Sequence, residues 1–259
     1  MLRIYLMGEV QVENGDRLLR ESKLGGPQGR FVLAQLVTER KRAVSQAELA
    51  EALWPESLPA SWPLALSAIV SRLRASLASV GLPRTRIIGN AFGCYQLTPP
   101  GETWVDVEAA SAGLDAAEGA IAAGNPQAAY GPSLIATTIL LRPFLPGHDG
   151  PWIDERRALL ASRLIRALDC RVEALAANRE PTLAITHARE AVRLEPYRES
   201  GYRRLMRLLA ANGDRAEAVR TYQQCRDLLD KELGVAPSSE TESLYLELTG
   251  TSTRPVRRT

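Results

Sequence analysis

Apolar residues recur at helical spacing through most of this chain and at strand spacing only near its start. Leu2, Ile4 and Leu6, then Val10 and Val12, alternate with polar residues, which predicts two short strands with Gly8 between them. Asn14-Gly15-Asp16 is a turn signal, and Leu18–Leu24 is expected to add another strand before Gly25-Gly26-Pro27 breaks the chain. A first helix is expected near Gln28–Arg40, with Phe31, Val32, Leu36 and Val37 inward. Ser45 followed by Glu48 reads as a capping box. It opens a second helix that ends near Trp54, where Pro55 stops it. A third helix has Ser61 as its cap and Pro63 in its first turn, with Leu66, Ile69, Val70, Leu73 and Leu77 as the buried stripe. Its opposite face carries Leu64, Ala68, Ser71 and Ala75, flanked by Arg72 and Arg74, with Ser67 beside Arg74. Gly81 and Pro83 end it, and a hairpin is expected over Arg86–Leu97, turning at Gly89-Asn90 or at Gly93.

Three amphipathic helices followed by two short strands suit a winged helix, a module whose third helix enters the DNA major groove. Pro99-Pro100-Gly101 marks a domain boundary, and from Asp106 the pattern is almost wholly helical. Val107–Ala123 is Ala-rich, Gln127–Leu141 is expected to be broken by Gly131-Pro132, and Trp152 opens a long helix to about Ala177. The run from Leu183 has a counterpart from Glu217: Ala184 matches Ala218, Ile185 matches Val219 and Leu194 matches Leu228. The offset is 34 residues, the period of tetratricopeptide helix pairs, and Asn212-Gly213-Asp214 is expected to join the two helices of the second unit. The expected fold is therefore mainly α with a small β component. A winged helix-turn-helix domain spans 1–99, an all-α tetratricopeptide-like domain spans 103–250, and 251–259 is expected to be a disordered tail whose arginines can graze phosphate.

Charge sharpens this division. Residues 1–100 hold 12 Lys/Arg against 8 Asp/Glu, a net of +4, whereas residues 101–259 hold 20 against 22, a net of −2. A basic front and an acidic back fit a nucleic-acid module joined to a protein-binding module. No apolar run is long enough to span a membrane, and the strand-like start with Glu9 does not read as a signal peptide. Cys94, Cys170 and Cys225, odd in number and widely spaced, argue for a reducing compartment.

Catalysis has little to draw on. His148 and His187 are the chain's two histidines, and no G-x-S-x-G, H-E-x-x-H or P-loop occurs. Gly25-Gly26-Pro27-Gln28-Gly29 lacks the Lys-Ser/Thr that would hold a nucleotide. No cofactor or metal site is expected, and the chain reads as a regulator and not an enzyme. Trp54 and Trp152 read as packing residues, while Trp62 at the start of helix three is placed to touch DNA backbone or a partner. For DNA, Arg72 is the leading candidate, able to meet a phosphate or a guanine. Ser67, Ser71 and Arg74 add backbone contacts, Arg30 near a helix start reaches phosphate, and Arg84, Arg86 and Asn90 do so from the wing. The alternative is that these are ordinary solvated charges.

Several motifs together resemble the Streptomyces antibiotic regulatory protein family, which joins an OmpR-type winged helix to a bacterial transcriptional activation domain. They are L-R-I-Y-L-M-G at Leu2, V-S-Q-A-E-L-A-E-A-L-W at Val44, V-S-R-L-R at Val70 and G-C-Y-Q-L at Gly93. In the back half they are P-W-I-D-E-R-R-A-L-L at Pro151, A-R-E-A-V-R-L-E-P-Y-R-E at Ala188 and the run A-E-A-V-R-T-Y-Q-Q-C-R-D-L-L-D-K-E-L-G-V-A-P-S at Ala216. The resemblance implies a cytoplasmic activator of a biosynthetic operon. Such a protein binds promoter direct repeats on double-stranded DNA, as a homodimer or as side-by-side protomers, and recruits RNA polymerase holoenzyme. It also implies that Ser71, Arg72 and Arg74 belong to the recognition helix and Arg30 to the basic start of helix one. The chain departs from the family at Leu64, Ser67 and Ile69, where polar residues are usual, at Gln28-Gly29 and at Cys94. The apolar centre of the recognition face suits thymine methyls, or else a protein interface, so an adaptor that keeps the fold without reading DNA is the competing expectation.

Overall fold

The alternation at the start of the chain becomes three short strands in the computed structural model, which describes residues 1–250: β1 (Leu2–Tyr5), β2 (Gln11–Asn14) and β3 (Arg17–Arg20). There follow α1 (Gly26–Thr38), β4 (Val44–Ser45), α2 (Gln46–Leu53), α3 (Trp62–Ser79), β5 (Ile88–Ala91), β6 (Cys94–Leu97) and β7 (Thr103–Val105). The rest of the described chain is helical: α4 (Asp106–Ala122), α5 (Tyr130–Leu140), α6 (Pro151–Ala177), α7 (Pro181–Leu194), α8 (Glu199–Ala211), α9 (Arg215–Leu233) and α10 (Ser239–Thr249). The tail expected at 251–259 lies outside the described residues. Contacts group the chain into two compact units: Met1–Ala112 with Thr138–Arg163, and Gly113–Thr137 with the residues from Leu164 onward.

In the first unit two small sheets frame three helices. One has the order β3-β2-β1-β7, with β1 antiparallel to β2 and parallel to β7. The other has the order β4-β6-β5 and is antiparallel throughout. Two strands here carry no periodic signal of their own. β4 has two residues and β7 three, and each exists because a long-range partner supplies its hydrogen bonds. β7 carries this unit past the boundary expected at residue 99, and residues 138–163 return to it as well. The return is well anchored: Gly8 N–H donates to the Pro143 carbonyl at 2.7 Å, Leu145 N–H donates to the Leu6 carbonyl at 3.4 Å, and His148 Nε2 meets the Pro27 carbonyl at 2.8 Å. Phe31 packs on Trp152 with ring centroids 5.2 Å apart.

The helix ends differ from the sequence expectation in instructive ways. α1 begins at Gly26, two residues early, and a side chain at Gly29 in its first turn would meet the Leu24 carbonyl oxygen at 2.0 Å. Only glycine lets the chain fold back that closely. Ser45 caps α2 by accepting from Glu48 N–H at 3.0 Å, but the return half of the capping box is missing. The Glu48 carboxylate is taken by Arg42, whose Nη1 stands 2.9 Å from it. Ser61 precedes α3 without a side-chain cap bond. Gly131 and Pro132 sit in the first turn of α5 and do not break it, since that turn asks nothing of their N–H groups.

The second unit is all α. Ala184, Ala188 and Ala218 are buried with Leu205, Met206, Leu209, Tyr222 and Leu244 in one core, and the small alanines let the helices approach. The 34-residue offset pairs α7 with α9. The Asn212–Asp214 turn therefore links α8 to α9, between repeat units, and not the two helices of the second one. Arg198 and Arg204 both pair with Asp169 of α6, and Tyr222 and Tyr245 stack at 4.0 Å. Together the units make a mainly α fold with a winged helix-turn-helix first and tetratricopeptide-like helices after it. No helix among the described residues is long and apolar enough to cross a membrane.

Candidate nucleic-acid interface

α3 turns its stripe inward as its spacing demands. Leu66, Ile69, Val70, Leu73 and Leu77 are all buried. The opposite face is open: Leu64, Ser67, Ala68, Ser71, Arg72 and Ala75 are exposed, Leu64 to 76%. No carboxylate competes for this surface from nearby sequence. Between Glu56 and Glu102 the chain has no Asp or Glu, and it has four arginines, Arg72, Arg74, Arg84 and Arg86. That acid-free run covers α3 and the whole wing, and it sharpens the +4 balance of the first hundred residues.

The structure divides the arginines by what already holds them. Arg72 is exposed and makes no ion pair or hydrogen bond among the described residues. Its stem leaves α3 beside the start of α1: a side chain at Gly25 would meet the Arg72 Cβ at 3.8 Å. Gly25 itself has φ 82° and offers α1 no side-chain cap. An exposed cation next to an uncapped helix start suits a phosphate. Arg84 and Arg86, just before β5, are likewise exposed and unpaired among the described residues.

Arg74 and Arg30 are occupied inside the fold. Arg74 donates to the Ile88 carbonyl from Nε at 3.0 Å and from Nη2 at 2.6 Å, and its guanidinium lies 5.8 Å from the centre of the Tyr95 ring. It braces the wing against α3. Arg30 pairs with Glu21 at 2.6 Å, and its side chain is only 16% exposed. Both arginines expected to meet DNA backbone thus have partners inside the fold. Ser67 and Ser71 stand on the open face, and Trp62 is half-buried at its start.

The wing hairpin turns at Phe92-Gly93, between the paired residues Ala91 and Cys94. Asn90 is consequently a strand residue opposite Tyr95, and still exposed. Both loop residues have positive φ, 52° at Phe92 and 72° at Gly93, which is the two-residue turn that favours Asn-Gly. Phe92 is fully exposed, at 104%, and sequence reasoning passed over it. The signal was there: an Asn-Gly type turn written with a phenylalanine.

Elsewhere the candidate chemistry is quiet. His148 bonds the Pro27 carbonyl at 2.8 Å through Nε2. His187 is half-buried on α7, and burial pushes it below the ordinary histidine value, with Arg171 adding to the effect. Burial lifts the Cys170 and Cys225 thiols to about 11. Among the described residues no cluster of three or more His, Cys, Asp or Glu side chains is placed to hold a metal ion.

Comparison with known proteins bears on both units. Residues 105–249 match the family described as bacterial transcriptional activator domain. The regulatory protein AfsR of Streptomyces coelicolor is 29% identical over 237 residues, which cover 91% of this chain and 23% of that protein. The transcriptional regulatory protein MoaR1 of Mycobacterium tuberculosis is 27% identical over 238 residues, covering 88% of this chain and 74% of the relative. The chain thus spans less than a quarter of AfsR and about three quarters of MoaR1. A solved structure of Mycobacterium tuberculosis EmbR in complex with a low-affinity phosphopeptide superposes with a TM-score of 0.85 at 25% identity, covering 96% of this chain and 65% of that one. With the activator domain matched over more than half its length and relatives such as AfsR across nearly all of it, the chain belongs to the bacterial transcriptional activator domain family, among the Streptomyces antibiotic regulatory proteins.

Proposed function

We propose that this protein is a DNA-reading transcriptional regulator, acting in the cytoplasm as an activator of a biosynthetic operon. The open face of α3, with Arg72 unpaired in a stretch free of carboxylates, is the observation that carries the reading. Arg72, Ser67 and Ser71 meet the major groove. Arg84, Arg86 and Asn90 meet flanking phosphates, while Arg74 and Arg30 hold the elements in register. Phosphate contacts supply affinity and the α3 face supplies sequence choice. Direct promoter repeats suit a homodimer or two side-by-side protomers, with the helical unit contacting RNA polymerase.

Fluorescence anisotropy on duplexes from upstream of the protein's own and neighbouring genes tests this, with scrambled duplexes as controls. Wild type is expected to prefer one upstream duplex. Arg72→Ala is expected to lose about 5- to 150-fold in affinity with its melting temperature unchanged, the range of one base contact. Equal binding to every duplex, lost with salt, or none at all, overturns the reading. The exposed Leu64 favours a second one, a protein-interaction adaptor. Under it Leu64→Ser releases a protein partner while Arg72→Ala changes nothing on DNA.

A further inference from the structure

The wing tip presents a residue that the turn itself does not want. In a two-residue turn with both φ values positive, Asn or Gly is the comfortable first residue, because a larger side chain there crowds the backbone. Phe92 occupies that position at φ 52° and leaves its whole ring in water. It therefore carries a conformational cost and a solvation cost at once, with no contact inside the fold to offset either. Residues held in such conformations gather where the surrounding structure uses them.

The hairpin that presents the ring is held from three sides. β6 pairs with β5 on one edge and β4 on the other. The Gly93 carbonyl, beside the ring, accepts the Gln46 N–H at 2.9 Å. The wing base is tied to α3 by the two Arg74 hydrogen bonds. A ring on so braced an arm is aimed and not merely tethered. The charge around it selects the partner. From Ser57 to Gly101 the chain has arginines and no carboxylate, and on the α2 start that meets Gly93 the Glu48 carboxylate is held by Arg42, so an anion with flat apolar slots inside it suits this arm. Stacked bases between two phosphate backbones answer that description.

We propose that Phe92 is an apolar wedge that enters the minor groove beside the groove occupied by α3, unstacks one base step and kinks the duplex. The wedge adds a selectivity that no hydrogen bond of α3 provides. It favours deformable pyrimidine–purine steps, whose unstacking is cheapest. This inference rests on the DNA-reading function proposed above.

The test uses the full chain and the duplex it prefers in the anisotropy experiment, with a fluorescent donor and acceptor at its ends. 2-Aminopurine is placed in turn at each adenine. Phe92→Asn suits the turn and deletes the ring; Phe92→Trp keeps a flat ring. Wild type is expected to shorten the end-to-end distance and to brighten one 2-aminopurine on binding. Phe92→Asn is expected to lose both signals and about 5-fold or more in affinity, with a melting temperature at or above wild type. Phe92→Trp is expected to keep both signals. Wild type that binds but neither bends nor unstacks the duplex overturns the wedge and leaves the regulator standing, as does Phe92→Asn with wild-type bending. Wild type that prefers no duplex removes the regulator and the wedge together.

Discussion

Asp106 stands at the first turn of α4, and its carboxylate is fully spent. Oδ2 accepts the successive backbone N–H groups of Leu6 and Met7, each at 2.8 Å, and Oδ1 accepts its neighbour Val107 N–H at 2.8 Å. Burial lifts the carboxyl above the ordinary aspartate value even against these donors. Asp106→Asn turns an NH₂ toward one of them, so urea unfolding is expected to show a loss of about 1–3 kcal/mol. His187 gives the pH test of the helical unit. Its folded value is depressed, so its contribution is complete above the unfolded value, about 6.5, and is lost as the pH falls through the folded one. Thermal melts between pH 7 and pH 5 are expected to fall less steeply for His187→Gln than for wild type. From sequence Asp106 was only the start of a helix and His187 only a mid-helix histidine. What surrounds a titratable group comes from residues about 100 positions away, in the case of Asp106, and no local pattern carries it.

At the scale of elements, α3 and the wing act as one piece through Arg74. One arginine gives two charged donors to the Ile88 carbonyl and lies near the Tyr95 ring. Arg74→Ala is expected to cost about 1–3 kcal/mol, because a charged hydrogen bond is lost at a partly buried strand. Amide exchange in β5 and β6 is expected to quicken while α1 stays protected. Arg74→Lys does not restore the brace, since an ammonium has no planar fork and does not stack. The buried stripe of α3 and the Ser45 cap of α2 were readable from spacing alone, as was the choice of Gly93 as one possible turn. The turn itself, with Phe92 at its tip, required the β5–β6 register, which is a pairing between segments and not a property of either.

For the whole molecule the relevant quantity is how many cations remain for a polyanion after the fold has used the rest. Arg72, Arg84 and Arg86 remain on the α3 and wing surface, while Arg30 and Arg74 do not. Each phosphate neutralised contributes a slope of about −0.9 to log affinity against log salt. Three free arginines thus give about −2.7 per protomer, and each Arg→Ala change among them flattens it by about 0.9. Arg30→Ala is expected to leave the slope unchanged and lower the melting temperature. A titration over roughly 50–200 mM salt on one duplex separates the two groups.

The sequence by itself determined the three front helices, the order of the winged-helix elements and the 34-residue repeat. Each rests on local periodicity: a stripe at helical spacing must be buried, and equal stripes at a fixed offset stack alike. It also set the charge of the stretch that forms α3 and the wing, which has arginines and no carboxylate. Only the tertiary structure decided which arginines stay open and that β7 joins β1 across a hundred residues. It alone brought Thr138–Arg163 back to the first unit and lifted Phe92 clear into solvent. Those outcomes depend on which distant group pairs with a donor or an open edge, and that pairing is a property of the packed chain.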